Sequence, residues 1–162
     1  MNPNVEFQDR SAFRDRINRQ LRIDPTKTVV LTVVMQREYL DMEVASSPVL
    51  PDEADRVLTH SKTLLDFARS QAIPVVHVYT TRRRIEIDKG FEKAGLEYAK
   101  AGRTARLSEL PDTSERDVSD RLIGSVQSQV PASLVHPDDL HVTTKKTLDG
   151  FQDTELGPLL SR

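Results

Sequence analysis

Two apolar, mostly β-branched runs constrain this chain more than anything else in it. Lys27 to Gln36 (KTVVLTVVMQ) carries Val29, Val30, Leu31, Val33, Val34 and Met35 almost without interruption, and Ile73 to Thr80 (IPVVHVYT) is a second run of the same kind. A strand with one wet face alternates apolar and polar residues. An unbroken run fits a strand covered on both faces, as in a parallel sheet. Between the two runs, Asp52 to Gln71 places Ala54, Val57, Leu58, Leu64, Leu65 and Ala68 on one face at helical spacing. Asp52 and Glu53 favour the start of that helix through its dipole, and Pro74 follows its end. Strand, helix, strand predicts a βαβ unit with parallel strands.

Weaker signals flank this unit. Ser11 to Leu21 repeats Phe13, Ile17 and Leu21 every four residues and predicts a short amphipathic helix, which Asp24-Pro25 ends. Arg37 to Pro51 reads as a loop, and Phe91 to Ala101 as a short helix in the irregular stretch from Thr81 to Ser114. Val118 to Val130 has Val118, Leu122, Ile123 and Val126 at roughly helical spacing before Pro131. Leu140 to Lys145 (LHVTTK) predicts a third, shorter strand, and Thr154 a cap for a last helix with Leu156, Leu159 and Leu160. An open α/β sheet binds ligands beyond the carboxyl ends of its strands. This directs attention to Val34–Asp41, Tyr79–Arg84 and Lys145–Phe151.

Composition narrows the function classes. The 162 residues are 37% hydrophobic and 30% charged, with a formal net charge of -2, which suits one domain and argues against a nucleic-acid or anionic-membrane partner. The basic triplet Arg82-Arg83-Arg84 runs straight into Glu86 and Asp88 and reads as a solvated loop. No apolar run is long enough to cross a bilayer, and Met1 to Gln20 lacks the basic start and apolar core of a signal peptide, so a cytoplasmic setting is the default expectation. There is no cysteine, hence no thiolate chemistry, disulfide or thiolate metal site within these residues. The six glycines form no dinucleotide or phosphate loop, and His60, His77, His136 and His141 show no metal-ligand spacing, so neither cofactor nor metal is expected. His77, inside an apolar strand, reads as a core or strand-end histidine.

With these residues in place, a family pattern can be recognised. Thr28 to Leu40 (TVVLTVVMQREYL) resembles the first strand of the isochorismatase-like cysteine hydrolases, a group with nicotinamidases, N-carbamoylsarcosine amidases and biuret hydrolases. There the strand runs into Asp-Met-Gln and an aromatic residue; Met35, Gln36 and Tyr39 match the last three. Lys145 to Leu156 (KKTLDGFQDTEL) resembles the second signature, with Lys145, Phe151, Thr154 and Leu156 at the family's spacing. The resemblance runs from about Ile23. It implies a helical extension over residues 1–22 and a Rossmann-like, three-layer α/β domain over 23–162 with a parallel sheet. It also implies hydrolysis of C–N bonds in small amides or ureides, by a cysteine nucleophile, a proton-handling aspartate and a lysine.

Two departures follow. The aspartate position, just before Met-Gln, is Val34, which can neither accept nor donate a proton. The family's cysteine lies on a later segment, downstream of the Thr-x-Leu helix, so the resemblance implies a C-terminally incomplete domain whose later strands are missing. Lys145 is then the remaining catalytic candidate, with Gln36, Tyr39 and Tyr79 as substrate-binding candidates. Lys146 is the adjacent alternative, pointed to the opposite face by strand alternation. Glu38 and Asp41 are the nearest carboxylates that could replace the lost acid, though both read as solvated loop residues. Without later strands, the Lys27–Gln36 strand becomes an unprotected edge, and marginal stability, self-association or pairing with another hydrolase chain is expected. Two other readings stand beside a weakened hydrolase: a non-catalytic binding or assembly module of the same fold, and an unrelated flavodoxin-like or response-regulator-like protein.

Overall fold

The computed structural model describes residues 9–21, 23–89, 93–108 and 121–161. Three parallel strands, β1 (Val30–Val33), β2 (Val75–Thr80) and β3 (Leu140–Lys145), form one sheet in the order β1-β2-β3. Val30 lies opposite Val75, and Val76 opposite Leu140. The helices are α1 (Ser11–Gln20), α2 (Arg37–Leu40), α3 (Pro51–Ser70), α4 (Arg84–Asp88), α5 (Lys93–Ser108) and α6 (Leu156–Leu160).

Parallel pairing with a crossover helix is what the two apolar runs predict. β2 is central, and five of its six residues are buried, which accounts for its unbroken apolar run. One face packs on α3, where Leu65, Ala68, Ile73, Val75, Val130 and Leu134 form a core joined by Val30, Met35, Leu58 and Tyr79. The other face packs on α6, with Val76, Val78, Val142 and Leu156 as its centre. Helices on both faces of the sheet make the three-layer α/β architecture.

The structure corrects several sequence expectations. The first strand is four residues long rather than ten: Pro25–Lys27 is a turn of 3-10 helix capped by Asp24, and the chain leaves the sheet at Val34. Among the described residues β1 is an edge, so its run is not covered throughout; Val33 is 50% exposed. Helix α1 forms, but Phe13, Ile17 and Leu21 are all exposed, so its apolar stripe packs on nothing among the described residues. The loop after β1 contains α2, and the arginine triplet opens α4, where Glu86 accepts the Arg83 amide. Helix α5 runs longer than expected, to Ser108.

The helix suggested over Val118–Val130 is absent from its described part. Only Val126–Ser128 turns, as 3-10 helix; Val118 lies outside the described residues. Gly124 has a φ of +85° and Arg121 one of +55°, values a right-handed helix cannot hold. The segment instead pairs with the chain after β2: the Arg82 amide donates to Arg121 O and the Ile123 amide to Arg82 O. Near the end of the described chain, the Thr154 hydroxyl accepts the Leu156 amide, close to its predicted capping role.

Candidate functional site

The carboxyl ends of the three strands converge on Val34–Gln36, Thr80–Arg82 and Lys145–Thr147. β1 ends because Val34 takes a φ of +57°. This conformation is costly for a β-branched residue, and it is held by the Val34 amide on Val78 O (2.8 Å) and the Gln36 amide on Val34 O (2.9 Å). The kink turns Gln36 inward, where it is fully buried. Its Nε2 donates to Thr80 O (2.9 Å) and Ser128 O (2.8 Å), and its Oε1 accepts the Thr80 amide (3.3 Å). The Gln36 amide thus ties together three separate backbone segments.

Lys145 closes β3 in register with Thr80 and is 4% exposed. Its Nζ donates to Thr147 O. Burial pushes its pKa below the usual lysine range; the nearby Arg121 charge adds to this, and Asp149 opposes it. Lys146 is set apart: its Nζ donates to Thr81 O and reaches Glu86 at 3.0 Å. Burial raises the Glu86 pKa, but the Arg83 amide, Lys146 and Arg83 outweigh it and hold the carboxyl down at about 2.

Glu38 is not a solvated loop residue. As part of α2 it is fully buried; it accepts the Ser46 hydroxyl (3.2 Å) and forms an ion pair with Arg121. A buried carboxylate needs such partners, and here an arginine 83 residues away supplies the charge. Sequence spacing carries no signal of that pair. Asp41 is half-buried and pairs with Arg37 at 2.6 Å. Tyr39 lies on α2, its amide donating to Gln36 O (3.0 Å). Tyr79 points the other way from Thr80, into the α3 layer, with its hydroxyl 3.2 Å from His141 Nδ1. It lines a cavity of about 170 Å³ with Thr81, Ile123, Gly124, Ser128 and Thr143. The structure therefore brings Gln36 and Lys145 together through Thr80 and sets Tyr79 on a different face.

A second polar cluster, not foreseen as a unit, lies under α3. His77 is fully buried, consistent with a core histidine. Its Nδ1 is 2.6 Å from Thr32 Oγ1 on β1, and its Nε2 3.1 Å from Asp139 Oδ2 before β3. Arg69 of α3 holds Asp139 through both carboxylate oxygens (3.2 and 2.6 Å), and the His136 amide adds a bond of 2.7 Å. The His141 ring stands 5.0 Å away. Burial pushes the His77 pKa down against the pull of Asp139. Among the described residues, no group of three or more His, Cys, Asp or Glu side chains is placed to hold a metal ion, and no helix is long and apolar enough to cross a membrane.

The sequence matches no family model and no curated relative. Solved structures do match the fold. A cysteine hydrolase from Pseudomonas syringae pv. phaseolicola 1448A is 22% identical and superposes over 86% of this chain and 55% of its own, with a TM-score of 0.57. An isochorismatase family protein from Burkholderia thailandensis is 20% identical, over 86% of this chain and 60% of its own, with a TM-score of 0.52. The chain has the fold of these proteins over most of its length, and it spans somewhat more than half of theirs.

Proposed function

We propose that this chain belongs to the isochorismatase-like hydrolases, whose chemistry is hydrolysis of C–N bonds in small amides or ureides, and that with its present residues it is inactive or only weakly active in that reaction. The observation that carries this reading is the fold shared with those hydrolases over 86% of the chain, with Val34, Gln36 and Lys145 at the carboxyl end of the sheet. An open α/β sheet does its chemistry at that end. Lys145 is the catalytic group that remains. Of the substrate-binding candidates, Gln36 acts by fixing the Thr80 backbone beside Lys145, Tyr39 stands on α2 just after the strand, and Tyr79, turned into the α3 layer, could meet a substrate only from that other face. What a thiol-based amidase lacks here is equally specific: Val34 cannot carry a proton, no cysteine is present in the 162 residues, and Glu38 is committed to Arg121.

The test is ammonia release from a panel of small amides and ureides, with the wild-type chain and Val34→Asp. Neither should exceed the buffer rate, because an acid without a nucleophile forms no acyl intermediate. Clear turnover by Val34→Asp would overturn this reading.

One observation favours a second role, that of a binding or assembly module paired with another hydrolase chain or a second copy. Val30 and Val34 donate their amides to Pro74 and Val78 of the neighbouring segment. Alternation along the strand turns the amides of Leu31 and Val33 to the open side of β1, where a further strand can pair. Co-purification of a hydrolase subunit with the tagged chain supports this role, and its absence at high expression of both counts against it.

A further inference from the structure

The cluster beneath α3 has the layout of a nucleophile, a base and an orienting acid. Thr32 Oγ1, His77 Nδ1, His77 Nε2 and Asp139 Oδ2 follow in sequence at 2.6 and 3.1 Å. Asp139 is itself fixed by Arg69 and the His136 amide, so the imidazole is held in one orientation. A hydroxyl–imidazole–carboxylate chain is recognised by its geometry and roles rather than by its place in sequence. With Nε2–H donated to Asp139, Nδ1 is the free base facing the hydroxyl.

The chain is not sealed. Among the described residues, Thr32 lines a groove of about 170 Å³ between β1 and α3. It is also lined by Val30, Met35, Leu64, Leu65 and Ser61. The groove therefore sets a hydroxyl that is hydrogen-bonded to an imidazole beside a largely apolar, uncharged wall.

We propose that Thr32, His77 and Asp139 form a second hydrolytic site, separate from the strand-end site, which cleaves small uncharged esters of short-chain acids. Thr32 Oγ1 attacks the acyl carbon while its proton passes to His77 Nδ1. The tetrahedral intermediate collapses, breaking the ester C–O bond as the leaving alkoxide takes the proton from Nδ1. Water then attacks the acyl-threonine, giving its proton to Nδ1; the acyl–Oγ1 bond breaks, Oγ1 takes that proton back from Nδ1, and the carboxylic acid is released. Asp139 touches no substrate and is a positioning residue, keeping the proton on Nε2.

The experiment is hydrolysis of p-nitrophenyl acetate by the intact chain, followed by peptide mass mapping of protein quenched during turnover. The expected result is release of p-nitrophenol above buffer, with one acetyl group on Thr32. Loss of the base or the hydroxyl, in His77→Gln or Thr32→Val, should lower the rate by roughly 100-fold. Thr32→Ser should keep it, and Asp139→Asn should lower the rate with little change in KM. Circular dichroism and a thermal melt establish that each variant is folded; Thr32→Ser guards against Thr32→Val failing for stability alone. A folded Thr32→Val that keeps the wild-type rate overturns the proposal, as does acetylation confined to lysines. The amide panel addresses the strand-end site alone, so either reading can fail without the other.

Discussion

Val34 is the residue whose replacement tests the local physics most directly. It is a half-buried, β-branched residue at a φ of +57°, locked there by its own amide on Val78 and its carbonyl on Gln36. A left-handed conformation costs an ordinary L-residue about 1–2 kcal/mol, and asparagine is among the few that tolerate it. Changing Val34→Asn removes that cost and gives up the half-buried isopropyl group, worth about 0.5–1 kcal/mol. The net expectation is a gain of about 0.5–1 kcal/mol, which raises the Tm of a chain this size by about 1–4 °C. Val34→Ala is the control, since alanine keeps the backbone cost and loses most of the side chain; its Tm should fall by about 1–3 °C. Differential scanning calorimetry at neutral pH measures all three. If Val34→Asn falls together with Val34→Ala, the strain assigned to Val34 is not there.

Three further outcomes are expected. Asp139→Asn removes the buried carboxylate that Arg69, the His136 amide and His77 share, while Arg69 keeps Asp66 at 3.1 Å, and urea unfolding should show a loss of about 2 kcal/mol. Because burial holds the His77 pKa below 6.5, the unfolded chain binds a proton that the folded chain refuses. The His77 contribution is therefore complete above pH 6.5 and falls as pH drops beneath it, by at most about 1.4 kcal/mol per pH unit; denaturant midpoints across pH 5–7.5 should show this slope and His77→Gln should lose it. The open β1 edge should bring association in dilute solution or a low melting temperature, and light scattering that finds a monodisperse, thermally robust monomer of 18.3 kDa would contradict this.

What could be read from the sequence was whatever depends on neighbours along the chain. Apolar runs, helical spacing and proline stops located β2, α3 and β3 and the parallel βαβ connection, because each rests on local periodicity. The true length of β1 was hidden, since Val34 differs from Val33 only in its backbone angle. The helix expected near Val126 failed because apolar spacing says nothing of the Gly124 and Arg121 conformations that prevent it. The positions of Gln36 and Lys145 at strand ends were legible because each lies where a strand-forming run stops. The burial of Glu38 was not, for its stability depends on Arg121, brought close only by the fold. The Thr32–His77–Asp139 cluster joins three strands' worth of sequence and was invisible for the same reason.

The sheet also imposes an order in time. Among the described residues every strand pairing is parallel and long-range: Thr32 meets His77 across 45 residues, and His77 meets Asp139 across 62. Among the described residues no hairpin closes early, and contacts between distant segments form slowly. At roughly 5–20 residues per second of synthesis, the β1 segment waits about 2–9 s for β2 to be made, and longer for β3. Throughout that interval an uncharged TVVLTVVM segment has no partner strand, so the chain is at its most vulnerable to aggregation during its own synthesis, and the yield of soluble protein should respond to the speed of translation and the supply of holding chaperones.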